Sequence, residues 1–300
     1  MDKLVERASA LRNPLVAAPA LAVQFFLIPL AVIGLTVLVY VGFRSLVTDQ
    51  RTANDYLTEI QTGGSSRRWP AAYELSRLMS DPAVRRDPAL APALIKAYES
   101  AREDDPRVRR YLALAIGRLE PPLPDKAIAD LTEALNDADS EARISAIWAL
   151  GSSGEPRVAA RLMPLYESSD AGIRKMAVYA LGALPGDGQL VTLRTALQDA
   201  APDVRWNAAI ALARHGNREG VSVLHQMLDR EYVEHQVQRV VRPDDDRDPV
   251  ADVMISGLRA AAVLKDATLR PSIEGLSQQD RSLKVRQAAI EALKEMSAQS

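Results

Sequence analysis

Three hundred residues with a net charge of -2, 47% hydrophobic and 25% charged, suit a folded chain and lack the basic excess of a nucleic-acid binder. The absence of cysteine excludes disulfides, thiolate metal sites and a cysteine nucleophile. Aromatics make up only 5%, which favours close-packed helices over sheets as the way to fill a core.

After a tail over residues 1–12 that carries Lys3, Arg7 and Arg12, positions 13–43 hold no charged residue. Their apolar core, Leu21 to Phe43, exceeds the roughly 20 residues that cross a bilayer, so a transmembrane helix is expected over 13–43. A cleaved signal peptide fits less well, because the run is about twice the usual apolar length and no small-residue cleavage site follows it. Three basic residues lead the run and two, Arg44 and Arg51, trail it. That balance leans toward a cytoplasmic amino terminus and a single-pass inner-membrane protein with its domain outside the cytoplasm. Residues 44–66 read as a stalk, with a short helix capped by Asn54 and stopped by Gly63-Gly64.

From residue 67 onward one pattern recurs. Starting positions 108, 142, 173, 204, 253 and 285 are each followed by small or apolar residues four, seven and eight places on, as in Val204, Ala208, Ala211 and Leu212, and a degenerate first copy starts at 67. Second helical patterns follow, over 125–137, 187–199 and 217–229, with breakers such as Gly154, Pro185-Gly186 and Gly216 at the joints. A helix pair cannot bury its own apolar faces, so stacked pairs share one core. The last copy, with seven residues after Leu293, is expected to act as a cap without a second helix.

The starts Asp105/Val108/Arg109, Asp139/Ala142/Arg143 and Asp170/Ile173/Arg174, and the endings Ala149-Leu150-Gly151 and Ala180-Leu181-Gly182, resemble HEAT-like repeats of the phycobilisome-lyase (E-Z) type. The resemblance spans about 67–297. It implies an all-α fold, a right-handed α-solenoid of about seven helix pairs over 67–300. It leaves function open, because that family spans lyases, hydroxylases and plain scaffolds.

Arg205 has counterparts at Arg68, Arg109, Arg143, Arg174 and Arg286. A residue repeated at one place in each unit serves stacking, and an acidic or carbonyl partner in the preceding unit is expected for this ladder. His215 occupies a place held elsewhere by leucine, and His225 lies on a second helix. Glu234-His235 is a single pair, whereas the HEAT-type hydroxylases that the chain resembles carry several to bind two irons. The interval from 204 to 253 is longer than its neighbours, so about 230–250 is an insertion. Insertions in solenoids often face partners. Tyr232, Arg239, Arg242, Asp244, Asp245 and Asp246 are therefore candidate partner contacts, and the aspartate triplet lacks the glycine and terminal glutamate of a calcium loop. Trp206 and its counterpart Trp69 sit at a variable place in the repeat, where a bulky ring is either wedged between units or presented to a partner.

No catalytic, cofactor or metal motif stands out. The expectation is a membrane-anchored, non-enzymatic scaffold without cofactor or nucleic acid, binding a protein partner in a membrane complex such as a transporter or envelope assembly. The alternative is a lyase- or hydroxylase-like enzyme, or a cofactor-binding repeat protein.

Overall fold

The computed structural model describes residues 27–47, 51–237 and 248–298. The chain divides into two units, 1–52 and 53–300. In the first, a helix runs over Ile28–Val47, and its leucines at 30, 35 and 38 are all well exposed. Among the described residues, no helix is long and apolar enough to cross a membrane. The uncharged part of this helix ends before Arg44, and sixteen residues from Ile28 rise only about 24 Å against a hydrocarbon layer of about 30 Å. The leading part of the expected span, 13–26, lies outside the described residues. The expected transmembrane helix, the single-pass inner-membrane location and the membrane-complex partner are corrected accordingly.

In the second unit, the repeating first helices are Ser65–Leu78, Pro106–Ile116, Ser140–Ser152, Ala171–Ala183, Pro202–Arg214, Pro249–Leu264 and Leu283–Ser297. Their starts are chemically marked. Asp105, Asp139, Asp170 and Asp248 accept backbone N–H groups of the first turn, and Pro106, Pro202 and Pro249 open their helices. Between them run shorter second helices, among them Leu90–Ser100, Asp125–Glu133, Leu190–Ala196, Val221–Met227 and Arg270–Gln279. These are shorter than the sequence pattern because their ends tighten into other geometry. Ala134–Asn136 and Arg218–Gly220 are 3-10 turns. Residues 187–189 form a turn held by the buried Gln189 amide, which donates to the carbonyls of Leu184 and Gly186. Gly154, Gly186 and Gly216 turn the chain at positive φ.

The helix Ala53–Thr62 belongs to this compact unit. Its buried Leu57 and Ile60 form part of the core, and it packs against Ser65–Leu78 and Leu90–Ser100. The insertion contributes a further helix, Arg230–Val237, while 238–247 lie outside the described residues.

Neighbouring first helices touch backbone to backbone. A Cβ on Gly151 would lie 2.7 Å from Cα of Ala180, and one on Gly182 would lie 2.3 Å from Cβ and 2.8 Å from Cα of Ala211. Each glycine of one unit faces the alanine of the next, which allows closer approach than larger side chains permit. Gly182→Ala is therefore expected to cost about 1–2 kcal/mol, since overpacking outweighs the gain of roughly 1 kcal/mol in helix propensity. Gly188→Ala, with open space around its Cβ, is the neutral control. Urea unfolding of both variants measures the difference.

Candidate partner-binding site

The arginine ladder binds the units together. Arg109 Nε and Nη2 donate to both carboxylate oxygens of Asp137 at 2.6 and 2.9 Å, while its Nη1 reaches the carbonyl of Asp104. Arg174 repeats this, at 2.8 and 2.9 Å to Asp199, with Nη1 on the carbonyls of Ser168 and Ser169. Arg68 pairs with Asp104. The carbonyl partners lie in the preceding turn, as the repeat predicts. The carboxylates instead belong to the turn that leads into the following first helix, so each arginine ties two joints. The aspartates also shape those turns, since Asp137 accepts from the N–H of Asp139 and Asp199 from that of Ala201.

Arg205 and Arg286 complete the carbonyl side, Arg205 on Asp199 and Ala200 and Arg286 on Asp280. Among the described residues, Arg205 Nη2 donates to the Tyr232 hydroxyl at 3.2 Å and to no carboxylate. In the sixth unit the ladder position is Met254, which is fully buried. Arg230, at the start of the insertion helix, takes over the rung with two bonds of 2.8 and 2.6 Å to Asp280. Sequence reading missed Arg230. Its signal was an apolar residue at the arginine's place with an aspartate left unclaimed downstream.

Electrostatics follow this geometry. Arg174 holds the Asp199 carboxyl below its usual range against the opposing effect of burial. At Asp137 and Asp280 burial pushes upward, but the hydrogen bonds from Arg109 and Arg230 prevail and both end lowered. Tyr98, buried beside Asp137, is pushed well up by burial and by that carboxylate.

A different set of side chains looks outward. Six places after each unit's start stand the exposed Tyr73 and the half-buried Leu114, Trp148, Tyr179 and Ile210, followed by charged Arg259 and Glu291. Contacts join this stripe across units. Tyr73 and Tyr111 meet edge to face at 5.1 Å, Arg118 lies 5.3 Å over the Trp148 ring, and Arg214 lies 5.8 Å over Tyr179. Arg107 covers Trp69 at 4.6 Å. Burial and the neighbouring Arg85 push the Arg118 guanidinium down.

Of the sequence candidates, Trp69 is half-buried beneath Arg107, and Tyr232 is engaged in the ladder. Trp206 is 5% exposed, packed in the core beside a cleft of about 340 Å³ lined also by Met176, Tyr179, Met227 and Val253. Arg239, Arg242, Asp244, Asp245 and Asp246 lie outside the described residues. His215 ends its helix with Nε2 buried and unpartnered. Glu234 is paired with Arg230 and Arg281. His225 lines a cleft of about 740 Å³ in which Arg230 and Asp280 are committed to each other and Arg281 to Glu234. Among the described residues, no cluster of three or more His, Asp or Glu is placed to hold a metal ion.

The comparisons with known proteins agree with this architecture. The CpcE–CpcF complex of phycocyanin lyase from Nostoc sp. PCC7120 matches with TM-score 0.51 and 19% identity, over 84% of this chain and 96% of that one. Human deoxyhypusine hydroxylase matches with TM-score 0.35 and 18% identity, over 85% and 99%. A designed armadillo repeat protein in complex with the peptide (KR)4 matches with TM-score 0.44 and 17% identity, over 80% and 98%. At 19% identity the likeness to the phycocyanin lyase complex concerns the fold alone. No curated protein matches the sequence. The model of HEAT repeats matches residues 91–182 and 165–242, together just over half of the chain. With its stacked first helices and arginine ladder, the chain belongs to the HEAT-repeat family.

Proposed function

We propose that the protein is a non-enzymatic scaffold that docks a protein partner on the outward stripe of its first helices. The carrying observation is the unbroken series Tyr73, Leu114, Trp148, Tyr179 and Ile210, with arginines stacked on Trp148 and Tyr179. Trp148 and Ile210 pack partly against the core, yet they share with Tyr73, Leu114 and Tyr179 a side left open to solvent. Aromatic residues and arginine are the side chains that concentrate binding energy at protein interfaces. The stripe ends where Arg259 and Glu291 take the same place, which confines the docking face to the first five units.

A photo-crosslinking residue placed in turn at 73, 148 and 179 tests this in the full chain. Crosslinks to one common protein from all three, with none from the exposed Val191 on a second helix, are the expected result. Crosslinks confined to position 191, or equal at all four, would refute the assignment.

A further inference from the structure

One rung of the ladder is open. By its place in the repeat, Arg143 should meet a carboxylate two residues before the cap Asp170, as Arg109 meets Asp137 two before Asp139. Residue 168 is a serine. Ser168 performs half of the aspartate's task, since its Oγ accepts from the N–H of Asp170 at 3.2 Å. It cannot perform the other half, because a hydroxyl oxygen stands one bond from Cβ, and carboxylate oxygens stand two bonds out.

The consequence is visible on the arginine. Among the described residues, Arg143 has one hydrogen bond, from Nη2 to Ser140 Oγ at 3.1 Å, and no carboxylate within ion-pair distance. Its Nε is buried without an acceptor. The carbonyl bonds made by Arg109, Arg174, Arg205 and Arg286 have no counterpart here. Arg143 helps to lower the Asp137 carboxyl from a distance, but both oxygens of that carboxylate are taken by Arg109. This half-buried guanidinium thus has no carboxylate at the ladder place that holds one in the rungs on either side.

We propose that Arg143 and Ser168 form an oxyanion site, in which a dissolved phosphate or small carboxylate supplies the missing rung. The guanidinium fork offers two parallel donors, and the anion fills the place that Asp137 and Asp199 fill in the adjacent rungs. Binding ties the third unit to the fourth, so the ligand stabilises the fold by mass action.

Thermal unfolding in sodium phosphate, sodium acetate and sodium chloride at one ionic strength tests the site on the wild type, Arg143→Gln and Ser168→Asp. The wild type is expected to gain about 2–4 °C in Tm, saturably, in phosphate or acetate over chloride. Ser168→Asp, which builds the anion into the chain, is expected to start higher by a similar amount and to lose the response. Arg143→Gln is expected to lose the response without the gain. An anion response of equal size in the wild type and Ser168→Asp overturns the proposal, as does a wild type that responds to neither anion. Should Arg143→Gln fail to fold, the comparison of the wild type with Ser168→Asp decides alone.

Discussion

Trp206→Ala is expected to destabilise the repeat unit by about 3–5 kcal/mol, the cost of truncating a buried large aromatic. The ring is 5% exposed and lies in the continuous core, so its loss leaves a cavity that fixed helices cannot collapse. Trp206→Phe separates packing from polarity. The indole Nε1 is buried without an acceptor, a defect that costs about 1–3 kcal/mol and that phenylalanine removes. Phenylalanine should therefore lose far less than alanine, and less than its smaller volume alone would suggest. Urea midpoints of the two variants check this, and an alanine variant as stable as the wild type would show that the ring is not part of the core.

Asp199→Ala is expected to cost about 3 kcal/mol, because it leaves Arg174 partly buried without its carboxylate and frees the N–H of Ala201. The side chains of Arg174 and Asp199 are 17% and 5% exposed, which places the pair toward the buried end of the range. A second signature is pH dependence. Asp137, Asp199 and Asp280 all have carboxyls lowered in the folded state. In the window between the folded and unfolded values the unfolded chain binds more protons, so stability rises with pH there. The contribution of the three aspartates is complete above about pH 4, the usual aspartate value, and is lost as pH falls through the lowered values. Asp199→Ala removes one of the three, so its acid limb should be shallower than that of the wild type. Equal slopes would show that the rung at Asp199 does not report on folding.

The repeat was legible because alanine seven places into a unit is demanded by close contact with the glycine nine places into the unit before, as Gly182 against Ala211 shows. The arginine ladder was legible for the same reason, being copied from unit to unit. Its carboxylates were not, because spacing alone cannot tell whether an arginine reaches backward or forward along the stack. Arg230 escaped because it stands outside the repeat frame and substitutes for Met254 from an inserted helix. Trp206 attracted notice by rarity, yet its burial depends on how units four to six converge, which no local pattern encodes. The outward stripe was overlooked since tyrosine, leucine, tryptophan and isoleucine at one place do not read as a motif until the helices are set side by side. In the amino-terminal unit, counting uncharged residues overstated the length of apolar helix that the described residues provide.

The glycine–alanine seams have a mechanical consequence. From the second unit to the fifth they hold successive first helices at close spacing, whereas the other edge of the stack is carried by second helices and 3-10 turns. That stretch of the stack is expected to act as a leaf spring with a stiff spine. Strain imposed by a load or a bound partner is taken up by fanning of the second-helix edge, and the aromatic stripe, fixed to the spine, keeps its spacing while the rest of the molecule bends.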